Sequence, residues 1–311
     1  MAGVRFILIV LGICLAGYSS LLLFARTPTY CEVTKGKADL TPCYKFFVKD
    51  QQAEILLVGD SSLLYGVEPD VVEQVSHRSV YNYGIVGPVF AFNPDKVVDH
   101  YLARNGRPKA IVVYISPWDQ VEPGAIHDEV WFPVGLAALQ HGTLGDALAV
   151  LRARPSAVVE LPPIILRSIG FSRTPNRALR DAMEAASGHF DYPATLTDAN
   201  RAIAHCPYGD ADARVPETVR TRTALSALKA RMAARGIPLY VYVAPFARCG
   251  TNVAKLEQAY RGLSDNVPTP LPDALFSNDA RPFVHVNEDG AKAVSRLLGD
   301  FIAAKGIGRP Q

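Results

Sequence analysis

The chain has 311 residues, 49% of them hydrophobic, which is enough for a domain with a large buried core and room for an insertion. Its formal net charge is only +2, and it carries no Arg/Lys cluster or basic stripe of the kind that tracks phosphates, so nucleic acid is excluded as the expected ligand.

Phe6 to Phe24 contains no formally charged residue and is flanked by Arg5 and Arg26. About 19 apolar residues approach what a bilayer core needs, whereas a cleaved signal has a shorter apolar stretch of about 7 to 15 residues ending at a small-x-small site. The reading is one retained anchor over residues 1–26, crossing the membrane through 6–24. Cys14 is not read as a lipidation site, because the bulky Ile13 precedes it and the apolar run continues beyond it.

Arginines at both ends of the span leave its orientation open, so the compartment is read from the cysteines. Outside the anchor Cys31, Cys43, Cys206 and Cys249 form an even set. Pairing Cys31 with Cys43 and Cys206 with Cys249 closes the shorter loops, and the other two connectivities stay open. Pairing of any kind implies an oxidising, extracytoplasmic setting; the competing reading is four unrelated buried thiols. No Cys-x-x-Cys pair suggests zinc, and no metal or cofactor is expected.

A polar connector follows over residues 27–52. Ile55-Leu56-Leu57-Val58 is an unbroken aliphatic run ending in Gly59-Asp60-Ser61, which predicts a buried parallel strand with a sharp turn at its carboxyl end. Ser61 there is either a nucleophile or an ordinary helix cap. Glu68-Pro69-Asp70 opens a helix, Ser79 to Tyr83 reads as a second strand, and Gly84-Ile85-Val86-Gly87-Pro88 as a turn whose glycines bring backbone N–H groups close to whatever sits above the sheet. A helix is expected over about Asn93 to Arg104. Ala110 to Ile115 is the third strand, ending in Ser116-Pro117-Trp118-Asp119. Strands alternating with helices predict a parallel sheet.

Between about 120 and 216 that rhythm is lost, marking a helical insertion. Gly135 to Leu139 and Leu144 to Arg152 read as short amphipathic helices, and Leu161 to Leu166 as an apolar stretch broken by Pro162 and Pro163. The insertion is a lid, a surface for a membrane partner or the bilayer, or a plain structural cap. His127-Asp128-Glu129 resembles a metal set only superficially, since adjacent residues do not converge on one face; it reads as a solvated loop. The pattern resumes with a helix over about Pro216 to Arg235, a strand over Leu239 to Val243 and a helix over about Asn252 to Leu263. In the final helix Asn287 is the N-cap, Glu288 and Asp289 suit the positive end of the dipole, and Ala291 to Ala303 carry the helical period.

His285 lies two residues ahead of that N-cap, on a loop able to reach the carboxyl ends of the strands. A serine hydroxyl is a weak nucleophile at neutral pH and needs an imidazole to take its proton, itself held by a third group. Gly59-Asp60-Ser61, Asn82-Tyr83-Gly84-Ile85-Val86-Gly87 and His285-Val286-Asn287-Glu288-Asp289-Gly290-Ala291 together resemble the SGNH (GDSL-like) hydrolase superfamily, over nearly the whole of Glu54 to Ala304. The anchor, Ile115-Ser116-Pro117-Trp118 and the closing motif look similar to its membrane-anchored branch, which contains the DltD-like proteins and lies near those of polysaccharide O-acetylation.

That resemblance implies a three-layer α/β sandwich with a central parallel sheet over residues 53–311, on the periplasmic or outer side of the cytoplasmic membrane. It implies Ser61 as nucleophile, His285 as base, and an oxyanion hole from the N–H groups of Ser61 and of Gly84 or Gly87. The implied partners are a cell-envelope polysaccharide, an acyl donor and a membrane-bound O-acyltransferase. Two positions depart from the pattern. An extra asparagine donor is missing at Ser116-Pro117-Trp118-Asp119, and Pro282 stands where the acid usually lies three residues before the histidine. Asp279 is the nearest replacement; a Ser–His dyad, or a non-catalytic accessory subunit that binds glycan or scaffolds the acyltransferase, are the competing readings.

Overall fold

The computed structural model describes residues 2–34, 44–117, 121, 123, 131–169, 176–190, 218–248, 252–277 and 285–308. In chain order the elements are α1 (Ala2–Ala25), α2 (Pro28–Val33), β1 (Ile55–Gly59), α3 (Ser61–Gly66), α4 (Pro69–Ser76), β2 (Val80–Gly84), α5 (Gly87–Phe92), α6 (Pro94–Leu102) and β3 (Ala110–Ile115). They continue with α7 (Trp131–His141), α8 (Leu144–Ala153), α9 (Ala157–Ser168), α10 (Asn176–Ala185), α11 (Val219–Ala234), β4 (Leu239–Val243), β5 (Phe246–Ala247), α12 (Val253–Tyr260), β6 (Pro270–Leu271) and α13 (Glu288–Ala304). The chain forms two compact units, residues 1–47 with 124–180, and residues 48–123 with 181–311.

The second unit is α/β, built on a four-stranded parallel sheet in the order β2-β1-β3-β4. Every residue of β1, β2 and β3 is buried, as expected of parallel strands covered on both faces, and this is why β1 and β3 are written as aliphatic runs rather than alternation. Alternate residues point to opposite faces. Ile55, Leu57, Val112 and Tyr114 join Val294, Leu298 and Ile302 of α13 in one continuous apolar core. From β1 the chain crosses to β2 on one side and later to β3 on the other. The carboxyl ends of β1 and β3 therefore flank the point where strand order reverses, the place where open α/β sheets bind ligands. β5 and β6 form a separate parallel pair.

In the first unit, Val4–Ala25 is long and apolar enough to cross a membrane. Helices α2, α7 and α9 pack against α1. Gln140 Nε2 donates to the Ala25 carbonyl at 2.6 Å, and the Tyr30 and Ser168 hydroxyls lie 2.7 Å apart. Cys31 is in a disulfide, with its partner outside the described residues; Cys43, Cys206 and Cys249 also lie outside them, as does His127-Asp128-Glu129.

One expectation fails in this unit. Residues 161–166 are not broken by their prolines; Pro162 and Pro163 sit inside the continuous helix α9. They forfeit two i→i−4 bonds, to the carbonyls of Val158 and Val159. Ala157, Leu161 and Ile165, at helical spacing on one face, are buried and keep the segment helical through packing.

Candidate active site at the carboxyl end of the sheet

The Gly59-Asp60-Ser61 turn follows β1 directly. Gly59 is required by a close approach, since a Cβ there would lie 1.9 Å from the Tyr114 carbonyl oxygen of the neighbouring strand. The helix cap is not Ser61 but Asp60: its carboxylate accepts from Ser62 N–H at 2.8 Å, and Ser61 is the first helical residue of α3. The same carboxylate accepts from the Ser62 hydroxyl, and its other oxygen accepts from Ser116 N–H at 2.7 Å. Asp60, 1% exposed, thus ties the start of α3 to the end of β3 across the reversal point.

Asn82 holds the other end of α3. Its side chain is fully buried; Nδ2 donates to the carbonyls of Leu63 and Val67, both at 2.9 Å, and Oδ1 accepts from Gly84 N–H at 2.9 Å. Gly84 also has no room for a side chain, because a Cβ would sit 2.5 Å from Leu64 N. With strand and helix clamped in this way, the position of Ser61 is fixed by the side chains of Asp60 and Asn82 rather than by its own.

His285 arrives from the far end of the chain. Ser277 N–H donates to the His285 carbonyl at 2.8 Å, Phe276 and Val286 form an antiparallel bridge, and Asn287 N–H donates to the Leu275 carbonyl at 3.0 Å. Asn287 then caps α13 through its Oδ1, which accepts from Gly290 N–H at 3.0 Å. Held between this bridge and the cap, the imidazole Nε2 lies 3.0 Å from Ser61 Oγ. The two residues are 224 positions apart in sequence, and each is 8% exposed, shielded from bulk water. Tyr65, one turn along α3, meets the imidazole nearly perpendicularly at 82°, with 5.6 Å between ring centroids.

Beside this pair is a cleft of about 520 Å³ lined by Tyr65, Glu68, Asp70, His189, Asn287 and Lys292, among others. Lys292 bonds to Glu288 at 2.8 Å, which raises the ammonium and lowers the carboxyl from their ordinary values. Tyr65 belongs to both the cleft and the imidazole contact. Behind the site, burial pushes the Tyr114 phenol well up, reinforced by Tyr242 stacked 5.5 Å away and by the Asp60 carboxylate.

Of the residues singled out from sequence, Ser61 and His285 are brought together, while Asp279, Pro282, Trp118 and Asp119 lie outside the described residues. Gly84 N–H is engaged by Asn82, whereas Gly87 N–H, at the start of α5, donates to no acceptor among the described residues. Among the described residues no group of three or more His, Cys, Asp or Glu is placed to hold a metal ion. Sequence reasoning missed the roles of Asp60, Asn82 and Tyr65. The cap preference of Asp60 was readable from its type and its place before a helix, but nothing local marked its bond to Ser116. No family model, no curated protein and no solved structure matches the chain.

Proposed function

We propose that the chain is a membrane-anchored serine acyltransferase or esterase that acts, outside the cytoplasmic membrane, on O-acyl groups of a cell-envelope polysaccharide through an acyl-serine intermediate. The observation that carries this reading is the Ser61 Oγ to His285 Nε2 approach of 3.0 Å at the carboxyl end of β1. The arrangement suits nucleophile and base, and the resemblance of the three motifs to SGNH hydrolases agrees with it. The apolar helix α1 and the disulfide at Cys31 support an extracytoplasmic setting.

In the proposed reaction Nε2 takes the hydroxyl proton as Oγ attacks the acyl carbon. The charge developing on the acyl oxygen is met by the N–H groups of Ser61 and Gly87, each such donor being worth about 2.7–4 kcal/mol. Collapse breaks the bond to the donor's oxygen, which leaves with the proton from His285, and the acyl group remains on Ser61. An acceptor hydroxyl then gives its proton to Nε2, attacks the acyl carbon, and Oγ recovers a proton. A sugar hydroxyl as acceptor makes the protein a transferase, and water makes it an esterase. Asp279 is proposed to orient the imidazole, and a membrane-bound O-acyltransferase to deliver the acyl group. The cleft beside Tyr65 has the aromatic, carboxylate and amide groups with which proteins hold sugar hydroxyls.

The test is turnover of p-nitrophenyl acetate by the full chain in detergent, beside Ser61→Ala and His285→Ala. Both variants are expected to lose at least about 10³-fold in rate, as members of a catalytic unit do. Turnover unchanged in Ser61→Ala would exclude the enzyme reading.

A further inference from the structure

Helix α9 has apolar side chains on more than one face. Ala157, Leu161 and Ile165 are buried, yet Val159 and Leu166 are 72% and 58% exposed, with Val158 exposed beside them. Its one acid, Glu160, is neutralised by Arg154 at 3.0 Å, whose guanidinium also lies over the Trp131 ring. Neighbouring α8 exposes Leu144 and Leu148. Outside α1, the large apolar side chains exposed among the described residues are these five, in α8 and α9, and only Val219 and Val267 elsewhere. A helix that is apolar nearly all round needs cover on every face.

What covers α9 follows from its place against α1. The span Val4–Ala25 has 22 residues, or about 33 Å of helix, close to the roughly 30 Å hydrocarbon core of a bilayer. Its first turns are bare, whereas Tyr18, Leu21, Leu22 and Ala25 are covered in whole or part. Helices α7 and α9 pack on α1, and Gln140 bonds to Ala25 at its carboxyl end. A helix against the last two turns of a membrane span lies at the depth of the headgroup boundary. The backbone agrees: Pro162 and Pro163 remove the i→i−4 donors of the Val158 and Val159 carbonyls, a loss better met at the boundary, which has water, than in the hydrocarbon core, which lacks it. Arg152 and Arg167, in the last turns of α8 and α9, are exposed where anionic headgroups would meet them.

We infer that α8 and α9 seat their exposed apolar side chains in the headgroup–acyl boundary of the bilayer that α1 crosses, so that the first unit is held by an interfacial helix pair as well as by the span. The inference rests on α1 being a retained anchor, as proposed above.

The full chain is reconstituted in vesicles of phosphatidylethanolamine and phosphatidylglycerol, with nitroxide labels at Val159→Cys, Leu166→Cys and Val219→Cys in a Cys14→Ser background. Native Cys14, within the span, is labelled separately and read as the difference from Cys14→Ser. Collisions with oxygen and with an aqueous nickel chelate report lipid against water. Labels at 159 and 166 are expected to favour oxygen several-fold, as at Cys14, with Val219 reversed. If Cys14 reads as lipid while 159 and 166 read like Val219, the helix pair does not seat and the inference falls alone. If 159 and 166 are shielded from both reagents, a protein partner or second copy covers the face, and the inference is again overturned. If Cys14 itself reads as water, the anchor fails and takes the inference with it.

Discussion

Asp60 is the residue whose loss the structure prices most clearly. Replacing it with alanine removes the N-cap of α3, a loss of about 1 kcal/mol. It also strands the buried Ser62 hydroxyl and Ser116 N–H, for which each unmade bond costs about 1–3 kcal/mol. Allowing for relaxation, Asp60→Ala should destabilise the α/β unit by about 3–5 kcal/mol, a large share of a typical domain's 5–15 kcal/mol. Asp60→Asn keeps the shape and one acceptor oxygen. Its NH2 must face either Ser62 or Ser116, setting donor against donor, so about 1–3 kcal/mol is expected. Urea unfolding of the full chain in detergent, followed by circular dichroism, measures both. The ordering Ala worse than Asn worse than native is required. An alanine variant within about 0.5 kcal/mol of native, the range of an ordinary surface substitution, would refute the reasoning that Asp60 ties β1 to β3.

Other substitutions separate packing from chemistry. Gly84→Ala places a methyl 2.5 Å from Leu64 N and must displace α3 from β2; a loss of about 1–3 kcal/mol in the same unfolding assay is expected for such overpacking. Tyr65→Leu removes the edge-on contact that steadies the His285 ring, about 0.5–1.5 kcal/mol, or roughly 2- to 13-fold in ester turnover, while Tyr65→Phe keeps the ring and stays within about twofold. His100 carries a pH prediction. Burial, with Arg104 adding to it, lowers its ring from the ordinary 6.5 to about 4. Between those values the unfolded chain binds more protons, so this contribution is complete above pH 6.5 and is lost as pH falls towards 4. After discounting for the ring's partial exposure the loss is about 1–2 kcal/mol. His100→Gln should flatten that part of a thermal-stability profile measured from pH 7 to 4.

The sheet was legible because parallel strands buried on both faces must be written as aliphatic runs, and Ile55 to Val58 and Ala110 to Ile115 are such runs. His285 was legible through its neighbour Asn287, whose capping preference fixed where the last helix begins and so where the loop before it ends. The roles of Asp60 and Asn82 were not legible, because their partners lie on other elements and polar pairing leaves no periodic trace. Asp60 reaches Ser116, 56 residues on. Asn82 reaches back to Leu63 and Val67. Helix α9 was misread for a related reason. Its prolines weigh against a helix locally, and only packing along the Ala157, Leu161 and Ile165 face outweighs that penalty. The grouping of residues 1–47 with 124–180 is likewise a long-range fact that composition does not announce.

The proposed role of Ser61 as nucleophile is tested most directly by intact-mass spectrometry of the full chain after exposure to a fluorophosphonate, followed by peptide mapping. The account predicts a single adduct on Ser61, absent in Ser61→Ala and formed far more slowly in His285→Ala, since the imidazole 3.0 Å away must take the hydroxyl proton. A chain that stays unmodified at Ser61 under saturating probe, or that labels equally in the Ser61→Ala protein, would contradict it.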